Sequence, residues 1–253
     1  MDLHLSGLRA LVTGGTRGIG RAIVETFVAE GTSVAFCARH ADAVKAMQEA
    51  LAVDGPTVLG TSLDVADAEA LSAWVTGSAE ALGGLDIVVS NVSALGIEDK
   101  PENWTASFEV DLMAAVRIVH TALPYLEASS AASIVAVSSV SGREIDFAAG
   151  PYGTIKAALI HYMQGLAHQL ADKGIRANAV SPGNTYFEGG VWADIEQNVP
   201  DLYSSALALN PTGRMGTPEE IARTVVFVSS PASSRTSGAN ILVDGALSRG
   251  VQF

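Results

Sequence analysis

The stretch Leu11-Val12-Thr13-Gly14-Gly15-Thr16-Arg17-Gly18-Ile19-Gly20 decides how this chain folds. A short apolar run ends in a glycine-rich turn, and the residues from about 18 to 30 then take up helical period. A strand that turns directly into a helix brings backbone N–H groups and the positive end of a helix dipole to one point, where an anion such as a pyrophosphate is held. Gly14, Gly18 and Gly20 supply the tight turn and the close backbone approach. Their spacing is G-x-x-x-G-x-G, not the G-x-G-x-x-G of the common dinucleotide fingerprint, so the turn alone does not name its ligand.

On either side of this turn the same alternation repeats. Val- and Ile-rich runs at about 8–13, 33–38, 57–63, 86–90, 132–138, 175–181 and 240–244 read as strands. Segments near 18–30, 41–53, 67–82, 102–128, 152–173 and 218–230 read as helices between them. The alternation predicts an α/β fold of Rossmann type, a doubly wound parallel sheet of about seven strands with helices on both faces and the ligand at the carboxyl ends of the strands. A chain of 253 residues fits one such domain, 1–253. The irregular stretch 184–215 reads as a substrate lid with a short helix near 191–208.

Composition excludes several classes of function. Net charge is −12 and the calculated pI about 4.7, which argues against a polyanionic partner, so no nucleic acid is expected. No run approaches the ~20 apolar residues of a membrane span, and no targeting segment precedes the first motif; a soluble, cytoplasmic protein is the expectation. The lone cysteine, Cys37, lies in a strand and reads as core.

The end of the second strand bears on cofactor choice. An acid about 20 residues after the glycine turn would accept the ribose hydroxyls of NAD. Here the chain reads Cys37-Ala38-Arg39-His40, and Arg17 lies within the turn itself. Two guanidinium groups suit the extra phosphate of NADP, so NADP(H) is favoured, with NAD(H) the alternative. Farther on, Pro151-Tyr152-Gly153-Thr154-Ile155-Lys156 puts a phenol and an ammonium at i and i+4 as a helix begins, on one face. A free tyrosine with pKa ~10 is a poor base near neutrality, and a fixed cation favours its phenolate. The fifth strand delivers Ser138 and Ser139 to the carboxyl edge of the sheet.

Taken together, the Thr-Gly-x-x-x-Gly-x-Gly turn, the strand-edge serine and the Tyr-x-x-x-Lys resemble the short-chain dehydrogenase/reductase family of the classical type, along nearly the whole chain. The resemblance extends to Asn178-Ala179-Val180-Ser181-Pro182-Gly183 and to Arg214-Met215-Gly216-Thr217-Pro218. It implies Ser139, 13 positions before Tyr152, as the third catalytic residue, and Lys156 as the group that lowers the Tyr152 pKa and holds the nicotinamide ribose. It also implies cofactor contacts from Gly14, Thr16, Arg17, Gly18, Ile19, Gly20, Arg39, Asp64, Val65, Asn91, Tyr152, Lys156, Pro182, Gly183 and Thr185. The reaction implied interconverts a carbonyl and a secondary alcohol by hydride transfer.

The chain departs from the family at three places. Where many members have an asparagine of a water-mediated proton path, this chain has Asp111, whose carboxylate would raise the Lys156 pKa and move the working pH upward, unless it faces solvent. The usual Asn-Ala-Gly after the fourth strand is Asn91-Val92-Ser93, and the threonine for the carboxamide comes early, as Thr185.

Other candidates carry less. His161 and His168 lie seven apart on one helix, whereas metal pairs on helices commonly use four; core or subunit contact is expected, and no metal. By resemblance the helices at about 102–128 and 152–173 build a homotetramer or homodimer interface, with Ala114, Ala115, Gly165 and Ala167 allowing close packing. Tyr186, Phe187, Val191, Trp192 and Tyr203 suggest an apolar or ring-bearing substrate, or simply pack the lid. Arg143 and Glu144 read polar substrate groups or sit in water. A cofactor sensor with weak turnover is the rival reading, motivated by Asp111 and Ser93; a cofactor-free lyase is disfavoured by the complete glycine turn.

Overall fold

The short runs of Val, Ile and small apolar residues form seven strands: β1 (Arg9–Thr13), β2 (Ser33–Ala38), β3 (Val58–Ser62), β4 (Ile87–Ser90), β5 (Ser133–Val137), β6 (Arg176–Pro182) and β7 (Asn240–Val243). These come from a computed structural model that describes residues 2–52 and 55–251. Every pairing is parallel and the order across the sheet is β3-β2-β1-β4-β5-β6-β7. The order in which strands are added reverses between β1 and β4, which opens a crevice at their carboxyl ends.

Side chains of a strand point alternately to its two faces, and both faces here are apolar. Leu11, Val88, Ile134 and Ala177 enter one core with α3 (Ala68–Leu82), α5 (Ala114–Glu127) and α6 (Pro151–Gln169). Ala10, Val12, Val89 and Val135 enter the other with α1 (Gly18–Ala29), α2 (Ala41–Leu51) and α9 (Pro218–Ser229). Cys37 is fully buried, and burial pushes its thiol up to about 12. The expected end of the second helix, at residue 53, lies outside the described residues, as do both termini of the 1–253 domain.

The helix expected at 102–128 is real but not uniform. Its first part, α4 (Pro101–Ser107), passes into a wider π turn, Phe108–Met113, before α5 resumes. Such turns cluster at functional sites. Ala114, Ala115 and Ala167 do not offer a free surface; their small size lets α5 and α6 pack on the sheet of their own chain, while Gly165 has open space around it. His161 and His168 are exposed on α6, not part of the core.

The lid holds two helices, α7 (Val191–Asn198) and α8 (Pro200–Ala208), where one was expected. It has a small core of its own, built from Trp192, Ala206 and Met215 with Tyr186, Ile195 and Tyr203 against them. Its two ends meet: Gly216 N donates to Asn184 O (2.8 Å) and Tyr186 N to Gly216 O (2.9 Å). Arg214 then pairs with Glu220, which closes a capping box with Thr217 at the start of α9. Among the described residues no helix is long and apolar enough to cross a membrane.

Candidate active site

Gly14 and Gly18 adopt φ of +73° and +51°, the left-handed region where a side chain is strained. A Cβ on Gly20 would run into the carbonyl of Gly14 and into Nδ2 of Asn91. The turn is therefore a cradle that only glycine keeps open, at the amino end of a twelve-residue helix, and it fits a dinucleotide pyrophosphate. Asn91 holds the cradle in shape. Its backbone N–H donates to Thr13 Oγ1 (3.0 Å), and its Nδ2 to Thr13 O (3.0 Å) and Gly14 O (3.4 Å). Thr16 and Ile19 are half-buried in the turn.

Arg17 and Arg39 are both exposed, at the turn and just beyond β2, and no acid stands between β2 and His40. Asp64 follows β3 and is exposed; its Oδ1 accepts from Ala66 N (3.0 Å), a local turn, whereas the cap of α3 is Asp67. Val65 is buried beside it. Pro182 ends β6, and a Cβ on Gly183 would clash with Asp244. Thr185 spends its hydroxyl proton on Gly183 O (3.0 Å), so the donor read as meeting a carboxamide is committed within its own loop.

The catalytic candidates lie at the carboxyl edge of β5 and on the first turns of α6. Lys156 is buried, and Nζ donates to Val137 O (3.1 Å), the last residue of β5. Ser138 Oγ donates to Lys156 O (2.9 Å). These two bonds tie the start of α6 to the strand end that carries Ser139. Lys156 Nζ lies 5.6 Å from the centre of the Tyr152 ring. The π turn puts Asp111 into the same place: Oδ1 is 3.0 Å from Lys156 Nζ, and Oδ2 accepts from Ala94 N (2.8 Å). Asp111 thus faces inward, not toward solvent. Burial alone would lower the Lys156 pKa, but the charges of Asp111 and Tyr152 outweigh it and hold it above its ordinary 10.5.

Several contacts around the site escaped sequence reasoning. Asp146 accepts from Ser141 Oγ at 2.6 Å, and Ser141 in turn touches Ser139. Glu144 does not read a ligand: Oε1 accepts from the N–H groups of Arg249 and Gly250 (2.9 Å each), pinning the tail. Phe147 stacks edge-on against Trp192 of the lid, with centroids 5.8 Å apart. Phe187 leaves the lid core and lays its ring on the glycine turn; a Cβ on Gly18 would sit 2.5 Å from its Cζ. Between turn and lid lies a cleft of about 350 Å³ lined by Arg17, Leu95, Phe187, Val191 and Asp194. No periodicity marks these residues; only a glycine on each side of Phe187, Gly18 and Gly190, hints at a bulky neighbour.

Comparison with known proteins agrees with this geometry. A family model described as enoyl-(acyl carrier protein) reductase matches residues 14–248. An isoepoxydon dehydrogenase from Aspergillus clavatus is 40% identical over 257 residues, covering 98% of each chain. Among solved structures, a short-chain dehydrogenase from Burkholderia cenocepacia in complex with NADP superposes with a TM-score of 0.86 at 30% identity, covering 96% of this chain and 99% of that one. L-Sorbose reductase from Gluconobacter frateurii, complexed with NADPH and L-sorbose, reaches 0.90 at 27% identity, covering 99% and 100%.

Proposed function

The chain belongs to the short-chain dehydrogenase/reductase family and is an oxidoreductase, and from that premise we propose that it interconverts a carbonyl and a secondary alcohol with NADP(H), using Ser139, Tyr152, Lys156 and Asp111. The observation that carries the reading is the buried junction at which Lys156 meets Asp111, the end of β5 and the face of Tyr152, beside a turn only glycine can form.

Gly14, Gly18 and Gly20 with the amino end of α1 would hold the pyrophosphate, with Thr16, Arg17 and Ile19 in the same turn, Asp64, Val65 and Asn91 along the nucleotide, and Pro182, Gly183 and Thr185 toward the nicotinamide end. When bound, the nicotinamide supplies or takes up the hydride. The preference for NADP(H) over NAD(H) is supported by Arg17 and Arg39, two exposed cations with no acid at the end of β2. The neighbours solved with NADP or NADPH agree with it.

In reduction, Ser139 and Tyr152 donate hydrogen bonds to the substrate oxygen, so charge building there meets donors already in position. Tyr152 then gives up its proton, and the negative charge left on its oxygen faces the Lys156 ammonium. Asp111 keeps that ammonium charged and fixed, and tempers the field it exerts on the phenol. A homodimer or homotetramer is part of the same reading; Trp104 and Phe108, 38% and 44% exposed on α4 and the π turn, support an apolar contact there.

The test is a panel of ketones and secondary alcohols assayed with NADP(H) and NAD(H) by nicotinamide absorbance, beside direct cofactor titration. Turnover with tighter NADPH binding is expected. Binding without turnover would favour a sensor, and neither would remove the oxidoreductase assignment of the site.

A further inference from the structure

Resting on the proposal that Ser139 donates to the reacting oxygen, we infer that the site is built for carbonyl compounds carrying a hydroxyl on the adjacent carbon, and that Ser141 and Asp146 recognise that hydroxyl.

The argument follows the protons. Ser141 Oγ donates to Asp146 Oδ2 at 2.6 Å, a short bond of the charge-assisted kind. The other oxygen of Asp146 accepts from Ala148 N (2.8 Å), which fixes the carboxylate in its loop. An ionised carboxylate only accepts, so the single proton of Ser141 is committed to Asp146 and its oxygen offers nothing but lone pairs elsewhere. Ser139 is the mirror case: its oxygen accepts from Ser141 N (3.2 Å), and its proton points at Ser141 Oγ across 3.3 Å. That last bond is long for two hydroxyls and correspondingly weak.

The pair therefore presents a donor and an acceptor side by side at the edge of β5. Oxygens on adjacent carbons of a hydroxy ketone have a complementary arrangement, with an acceptor carbonyl next to a donor hydroxyl and a comparable separation. Such a substrate replaces one weak internal bond by two good ones: Ser139 to the carbonyl, and the substrate hydroxyl to Ser141. A plain ketone takes the proton of Ser139 but leaves the Ser141 oxygen without a donor. A partially buried polar atom left unpaired in this way costs binding energy, which makes the pair a discriminating element. Phe147 and Trp192 form an apolar wall on the lid side of the same loop, suited to the carbon skeleton.

The experiment compares α-hydroxycyclohexanone, α-methoxycyclohexanone and cyclohexanone as substrates for the full chain with NADPH. The methoxy compound withdraws electrons much as the hydroxy compound does but has no proton to give. The wild type is expected to turn over the hydroxy ketone with a kcat/KM at least about tenfold above the methoxy ketone, the margin that one net hydrogen bond supplies. Ser141→Ala, which removes one oxygen and leaves the backbone N–H to Ser139 in place, should bring the ratio to about one, and Asp146→Asn should reduce it. Equal values for the hydroxy and methoxy ketones in the wild type, or an undiminished ratio in Ser141→Ala, would overturn the inference while leaving the reductase reading intact. Failure of all three ketones to react, with Ser139→Ala equally silent, would overturn both.

Discussion

Lys156 and Asp111 form an ion pair 3.0 Å long in which the side chains are 3% and 1% exposed. A pair removed from water to this degree costs little only while both members are present. Asp111→Ala strands an ammonium in the interior and should lower stability by about 3–5 kcal/mol, read by urea denaturation. The raised Lys156 pKa gives the pH dependence its sign. Its contribution is complete below the unfolded value of 10.5 and is lost as pH rises through the higher folded value. The melting temperature of the wild type should therefore hold up to about pH 10.5 and decline above it, whereas in Asp111→Asn burial dominates and lowers the Lys156 pKa, so that this decline should be lost and stability should instead recover as pH rises toward 10.5. In turnover, the same variant frees the full field of Lys156 to act on Tyr152, and the optimum of the pH–rate profile should move down.

Tyr152→Phe removes one oxygen from a half-buried ring whose hydroxyl has no hydrogen-bond partner among the described residues, so the fold should not notice. Reduction should fall by about 10²–10³ or more, the usual loss for a donor that meets developing charge. NADPH affinity by fluorescence titration should stay near that of the wild type. Turnover close to normal would remove Tyr152 from the mechanism.

Arg17 and Arg39 should confer a preference for NADPH over NADH of at least about tenfold in Kd, or about 1.4 kcal/mol. Arg39→Ala and Arg17→Ala should each narrow that gap by weakening NADPH without weakening NADH. Isothermal titration with both cofactors checks this, and equal affinities in the wild type would count against it.

Gly20→Ala places a methyl group against the backbone of Gly14, which cannot step aside without opening the turn. Cofactor binding should weaken by more than about tenfold while the far-UV spectrum is kept, because the damage is local. Gly77→Ala is the control, since nothing lies near its Cβ position.

Much of the architecture was legible because strand signals are local. The run Ile87–Ser90 or Ser133–Val137 needs no distant partner to announce itself, and the parallel order follows from crossovers that must be right-handed. Ser139, Tyr152 and Lys156 were legible because the family fixes their spacing. The π turn at Phe108–Met113 was not, since it has the composition of an ordinary helix and differs only in how its backbone packs. Asp146 and Phe147 were equally silent, and so were the contacts that Glu144 and Phe187 make. Each acts through a contact with another loop, the lid or the tail, and contacts between irregular segments leave no period to read.

The lid leaves the end of β6 and returns to the start of α9 through one point, where Asn184, Tyr186 and Gly216 exchange backbone bonds. Everything between is a closed excursion with a miniature interior, attached by a narrow stem. Such a segment can be exchanged for one of different length or shape without disturbing the end of β5 and the start of α6, where Ser139, Tyr152 and Lys156 lie. A graft made at the stem is thus the natural way to change what covers the cleft while Ser139, Ser141 and Asp146 at the strand edge stay as they are.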